Sequence, residues 1–572
     1  MWTAVIVSIA FIVFYTQTFI EPYLQPPAQA PEQTQTQPGQ QPVAGQGSSA
    51  VAVGTQQVVA TGVPGAGVLS TLSHPSSADI ASAPKITVTT DRYIAQFSTL
   101  GGRLLSLKLK GYALHQDTPE LVDLVTTPAD GSYPGGLYVG NSDDGFVQYH
   151  LAGDSAAQAH DFTATAQNAV SVPFEGALKD GTVVKKSFEL KSGTYLVNVT
   201  VQTEGASAKE PIWLEWSLYV PQAESHERLN PIGFRVFTDD NKVDSAAIGK
   251  IPEGAQPPVA GQWLALGGRY FFACLIPAAH GPNTETLHET LSNGDNLLAA
   301  RVAAAPGGGT FTLYLGPKDG VEFQKIGYQL YRNIDLGTFS FIAFPLLWLL
   351  RFFHSIVGNY GLAIIILTLF IKTIFLPLTM VSFRSAKAMQ ALQPEIKALR
   401  ERITDPTQLN QEMMALYKKR NVNPMGGCFP VLIQIPVFFG LINVLYNAIE
   451  LRHAPFAIWI HDLSAPEHLV IGGLTIPLMV VLLCASMFAQ QLMMPAPGID
   501  PTQRKIMLAM PLVISYTFLY LPAGLVLYYI VNNTISITQQ MSIRSERNVS
   551  PLLSTALAGG ALFTIGFLLT RI

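Results

Sequence analysis

Charge is scarce in this 572-residue chain: 13% of its residues are Asp, Glu, Lys or Arg, against 48% hydrophobic. A soluble domain carries about 25% charge, so a large part of the chain must sit in apolar surroundings. The basic residues form no long run and the net charge is −4, which argues against nucleic acid as a sequence-specific partner. Three cysteines, Cys274, Cys428 and Cys484, lie too far apart for a disulfide framework or a metal site. The chain has no G-x-x-x-x-G-K-[ST] and no H-E-x-x-H, and His115, His150 and His226 show no spacing that identifies a site. No catalytic residue, cofactor or metal is expected. Methionine is missing over a long stretch: after Met1 the other twelve all lie between Met380 and Met541. Flexible thioethers suit surfaces that accept varied apolar partners, although gap-filling between helices is the ordinary reading of most.

What is present divides the chain. Residues 1–22 contain an apolar run, Trp2–Ile20, without a clear cleavage site, and read as an N-terminal signal anchor. Residues 23–84 are rich in Gln, Pro, Ala, Gly and Ser and read as a disordered tether. From Lys85 the text alternates, as in KITVTT, RYIAQFS, RLLSLKLK, VVKKSFEL and TYLVNVTVQ, with turn residues such as Gly101-Gly102 between runs. This predicts an antiparallel β-sandwich over 85–334. Residues 335–357 carry an apolar core of only about 13 residues with Pro345 and Arg351. They predict an interfacial amphipathic helix on the outer leaflet, a full span being the alternative.

Spans follow at Gly358–Thr379, Phe429–Ile449, part of Leu469–Met494 and Ile506–Ile543, the last broken into two at Leu521-Pro522-Ala523-Gly524. The loop 381–427 holds eight Lys or Arg, whereas Glu450–Gly473 holds only Arg452. The basic loop is therefore expected in the cytoplasm and the β-domain outside. Within that loop, Phe383–Arg402 and Pro406–Arg420 predict a helical hairpin, with Asp405 capping its second helix. A solvated loop and a docking surface for a ribosome or nascent chain are both open readings.

Lys372 stands out: from Phe352 to Phe383 it is the only Lys, Arg, Asp or Glu. A charge at mid-bilayer costs roughly 2.5–3.5 kcal/mol on insertion scales and faces protein or water. No other span offers a carboxylate to pair with it. The expectation is a wet cavity inside the membrane, the alternative a snorkelling lysine.

The pieces FLPLT, EMMALYKK, NVNPMGGCFPVLIQIPVF, APFAIWIHDLSA and LPAGLVLYYIVNN, together with GQWLALGGRYFF and LYLGPK, resemble the YidC family of bacterial membrane protein insertases. The resemblance implies a multi-pass α-helical inner-membrane protein with a five-helix core (358–543) around a hydrophilic groove, an N-terminal anchor and a periplasmic antiparallel β-sandwich, the N-terminus being cytoplasmic. It implies insertion and folding of nascent membrane proteins, alone or with the Sec translocon, with the ribosome and membrane lipids as further partners. Matched to the family's groove and substrate-contact positions are Lys372, Thr368, Tyr529, Tyr528, Ile435, Phe438 and Tyr520. The family's groove charge is normally Arg. Lysine keeps the charge but not the planar fork. Family members commonly end in a basic tail, whereas 544–572 contains the uncharged stretch 551–570, a candidate further span.

Overall fold

The computed structural model describes residues 75–572 except 117, 127–130, 141, 155, 166–167, 223–231, 278–281, 421, 423–428, 494–500, 545–549 and 572. The expected anchor (1–22) and most of the expected tether lie outside the described residues. The last part of the 23–84 stretch differs from expectation. Ser77–Ser82 form a helix, α1, whose Ile80 is buried and whose Ile80 carbonyl accepts from Ser98 Oγ at 2.8 Å. One buried isoleucine on an otherwise polar stretch ties it to the domain that follows.

Two sheets make that domain. The smaller runs Leu121–Asp123, Leu104–Ala113, Tyr93–Ser98, Lys85–Thr89, His160–Thr163. Its last pairing is parallel (Ile86 opposite His160), so the sandwich is not wholly antiparallel. The larger, fifteen-stranded sheet has the central order Ile212–Val220, Asn296–Ala304, Pro282–Thr290, Val259–Gly267, Phe271–Ile276, Gly308–Pro317, Leu196–Glu204, Val183–Leu190, Val170–Ala177. The alternation read from the text is the burial pattern observed: Lys85–Thr89 buries Ile86 and Val88, and Leu196–Glu204 buries Val197, Val199 and Val201. The Gly101-Gly102 turn takes φ +71° and +54°, the left-handed region that glycine enters at least cost.

Beneath that turn lies a buried ionic cluster. Lys186 Nζ donates to Asp144 Oδ2 (2.7 Å), Gly135 O (2.9 Å) and Gly101 O (3.0 Å), while Arg103 stands 3.2 Å from Asp144 Oδ1. Two cations on one carboxylate, all buried, hold the turn to the strand below. Burial lowers the Lys186 pKa to about 8, only partly offset by Asp144.

A short helix, α2 (Gly320–Ile326, capped by Asp319), leads to α3 (Ser340–Val357). Asn447 Nδ2 donates to Asp335 O (3.1 Å) just before α3, and Arg351 pairs with Glu450. The entry to α3 and a point about 16 Å along it are thus tied to the same short stretch, 447–450. Phe341 and Trp348 point outward, the latter stacked on Phe352.

The helical part comprises α4 (Tyr360–Ala391), α5 (Gln393–Arg402), α6 (Pro406–Lys419), α7 (Phe429–Asn447), α8 (Leu478–Met493), α9 (Pro501–Phe518), α10 (Ala523–Arg544) and α11 (Pro551–Leu569). Among the described residues α3, α4 and α11 are long and apolar enough to cross a membrane, while the apolar segments Gln434–Asn447, Leu478–Met493 and Lys505–Phe518 are shorter.

One element reading needs correction. The first arm of the hairpin is not a separate helix from Phe383. At 32 residues α4 is about 48 Å long, more than a bilayer core, and runs unbroken to Ala391, with the break at Leu392 before Pro394. Within Leu469–Met494, read as a span only in part, the helix is Leu478–Met493, and ahead of it Leu469–Ile471 and Leu474–Ile476 form a hairpin around Gly472-Gly473 (φ +58° and +84°), a turn that apolar composition alone does not reveal. The break between α9 and α10 falls at 519–522, around Pro522, as expected.

Candidate functional site

Helix α10 carries a polar face through an apolar helix. Asn532, Asn533, Ser536, Gln539 and Gln540 recur at three- and four-residue spacing, so they share one side of the helix. Lys372 Nζ donates to Ser536 Oγ at 2.7 Å, joining α4 to α10. Three residues before Ser536, Asn533 Nδ2 donates to Ser486 Oγ of α8 at 3.0 Å. Three residues after it, Gln539 Nε2 donates to Thr555 Oγ1 of α11 at 2.8 Å. The seam therefore links α8, α4 and α11 through one helix.

Its hydrogen bonding is incomplete. Gln539 Oε1 and Gln540 Oε1 are buried with no partner among the described residues. Buried polar atoms normally find partners, and an unpaired one costs about 1–3 kcal/mol, which water in the seam would relieve.

Of the residues singled out from the text, Thr368 is buried one turn before Lys372, and its Oγ1 donates to Ile364 O at 2.7 Å, within its own helix. Tyr529 lies about 10 Å from Ser536 along α10, toward the β-domain. It packs edge-on against Phe438 of α7 (5.6 Å between ring centres) and Phe518 of α9 (4.8 Å), beside a buried Tyr528. These rings bring three helices together, and Tyr529 and Phe438 stand side by side. Ile435, nearly one turn before Phe438, is half-buried. Tyr520 lies apart, exposed at the bend between α9 and α10, with Tyr516 at 6.1 Å.

Helix α7 shows the opening. Leu441, Val444 and Leu445, nearer the β-domain, are fully buried, whereas Gln434–Phe439 are only partly buried. Aromatic and aliphatic packing closes the bundle at the β-domain end, and α7 is less tightly covered over Gln434–Phe439. Glu467 reinforces the closed end. Its carboxylate accepts from Trp459 Nε1 (2.7 Å) and from Met479 N (3.0 Å), so it caps the start of α8. Sequence reasoning missed Ser536, Asn533, Gln539 and Glu467. For the first three, the polar periodicity in VNNTISITQQ was the available signal.

Comparison with known proteins sets this arrangement in a family. Residues 352–550 match the family model described as 60Kd inner membrane protein, and residues 85–349 match the YidC periplasmic domain. A membrane protein insertase YidC from Syntrophus aciditrophicus is 37% identical over 481 residues, covering 81% of this chain and 85% of the relative. One from Pelobacter propionicus is 34% identical over 510 residues, covering 86% and 92%. A crystal structure of an active YidC insertase with its first transmembrane domain resolved covers 80% of this chain and 92% of its own at 19% identity, with a TM-score of 0.35, too slight a likeness to argue from. On the two family models and the identity along most of the chain, this protein belongs to the YidC family.

Proposed function

We propose that this protein inserts nascent proteins into the bacterial inner membrane and helps them fold, through the seam that holds Lys372. The observation that carries this reading is the Lys372–Ser536 hydrogen bond, which puts a cation and a row of amides inside helices otherwise apolar. The relatives' name, membrane protein insertase, supports the same activity.

The physical task is to move a short polar segment across hydrocarbon. A hydrated seam shortens the apolar distance, and Lys372 attracts acidic residues in that segment. The client's apolar helix then slides into lipid past Ile435, Phe438 and Tyr529, driven by burial of its own apolar surface. Phe438 and Tyr529 close the seam toward the periplasm, and the partly buried stretch Gln434–Phe439 of α7 leaves it accessible from the side of α7. Thr368 positions rather than contacts, since its hydroxyl is spent on Ile364, and Tyr528 is packing. Tyr520 borders the outer end. No bond is made or broken, so the protein acts as a chaperone rather than an enzyme.

The remaining parts follow from this reading. Residues 1–22 anchor the chain with its N-terminus in the cytoplasm, 23–84 link the anchor to the periplasmic domain 85–334, and α3 lies along the outer surface. Its double attachment to 447–450 supports that placement. The hairpin of α5 and α6, within 381–427, is the surface for ribosome and nascent chain, and the Sec translocon and lipids are further partners. Photo-crosslinking residues placed at Ile435 and Phe438, with a stalled nascent membrane protein, test the proposal. Client adducts at both are expected, and their absence, with adducts instead on α9's outer face at Leu512, would overturn the exit path.

A further inference from the structure

Helix α11 packs along both α4 and α10. The fit is close: a Cβ on Gly559 would lie 2.5 Å from Leu369 Cδ1, and one on Gly566 would lie 3.1 Å from both Ile365 Cδ1 and Leu362 Cδ2. Gln539 and Thr555, both buried, add the hydrogen bond between α10 and α11. Small residues that admit close approach and a polar pair sealed between helices are what hold membrane helices together. The outer face of α11, by contrast, presents Leu553, Leu557, Ile565 and Leu568.

Lys372 comes seven residues after Ile365, close to two full turns, and so projects from nearly the same side of α4. That side is the one Gly559 and Gly566 cover. Its partner Ser536 lies less than one turn from Gln539, the residue bonded to α11. Helix α7 also meets both α4 and α10 but, among the described residues, has no extensive packing against α11. The two helices therefore occupy opposite grooves of the α4–α10 pair. Without α11, the flank of α4 bearing the charge would face hydrocarbon, an arrangement that membranes penalise.

We propose that α11 is a fixed wall of the Lys372 site, shielding that flank from lipid and leaving the α7 side as the only exit for a client helix. The exit half of this statement rests on the insertase reading, whereas the shielding half does not. Gln539 and Thr555 are positioning residues that hold the wall in register.

The test uses the full-length protein in membranes, with a photo-crosslinking residue at Ile365 or, in a second variant, at Leu369, and a cleavable site between α10 and α11. Both probes should capture α11 and no stalled client, while a probe at Ile435 captures the client. Gly559→Leu should cut the α4–α11 adduct by more than the roughly threefold expected from losing one interhelical hydrogen bond. It should also let the probe reach lipid. Gly560→Leu should change neither, since a Cβ there meets nothing within 4 Å. Client captured from Ile365 or Leu369 in the unsubstituted helix, or equal behaviour of the two glycine variants, would overturn the wall. If α11 is captured but Ile435 finds no client, the insertase reading fails while the shielding stands.

Discussion

Arg269 of the β-domain caps the membrane helix α7. Its guanidinium donates from Nε (2.7 Å) and from a terminal nitrogen to Tyr446 O, one of the last carbonyls of the helix, and lies 3.7 Å from the centre of the Tyr446 ring. Tyr270 is a second ring on the same cation, at 4.5 Å. Nearby, Arg452 donates to Ala113 O at 2.7 Å, and Gln116 Nε2 donates to His461 O at 2.6 Å. The β-domain thus grips the end of the helix that presents Ile435 and Phe438. The GGRYFF motif gains a structural purpose that its text alone does not disclose.

Arg269→Ala should therefore loosen α7 from the β-domain by about 1.5–3 kcal/mol, the usual worth of hydrogen bonds to a charged group. Spin labels on the β-domain and on α7 should show a broader distance distribution, and insertion should fall. Arg269→Lys should recover part of both, keeping the charge but not the two-nitrogen grip. An unchanged distance distribution in the alanine variant would mean the contact does not position the helix.

The charge at Lys372 can be inverted or preserved. Lys372→Glu should lower insertion of clients with acidic translocated segments by about tenfold or more, a change of roughly 1.4 kcal/mol. Lys372→Arg should insert nearly normally. Ser536→Ala should cost less than the glutamate variant, because it removes one hydrogen bond and leaves the charge. Insertion rates at equal membrane levels decide this, and normal insertion by Lys372→Glu would remove Lys372 from the mechanism.

The buried Lys186 makes the β-domain's stability depend on pH in a defined direction. Its pKa is lowered by burial from 10.5 to about 8. Below pH 8 both folded and unfolded chains hold the proton, so the group adds no slope. Between about pH 8 and 10.5 the unfolded chain holds a proton that the folded chain has released, so this group's contribution to stability rises with pH. Hydrogen exchange of the strand Val183–Leu190 in the full-length protein, compared with Lys186→Met at each pH, isolates the effect. The gap in protection between wild type and variant should shift in favour of wild type across that window. A gap independent of pH would place the Lys186 pKa outside it.

Alternation and the length of apolar runs were enough to read most of the β-domain strands and the approximate places of the membrane helices. Alternation in KITVTT or TYLVNVTVQ and unbroken apolar runs each reflect burial of one element against whatever surrounds it, whoever the neighbour is. The isolated charge at Lys372, the apolar stretch 551–570 and the break at Pro522 were legible for the same reason: each is costly or decisive by itself, before any partner is known. What the text could not hold was pairing. That Lys372 meets Ser536, that Gln539 meets Thr555, that Arg269 reaches Tyr446 across 177 residues, and that α11 lies on the charged flank of α4 all depend on where helices stand in the bundle. Lys372 and α11 are far apart in the chain, yet both meet α10 within one turn of each other, at Ser536 and Gln539. The text leaves open where within Leu469–Met494 the helix begins, because apolar composition is common to strand and helix, and only backbone geometry distinguishes them. Burial is a property of each segment and is written locally, whereas the partner of a polar group is a property of the packed whole.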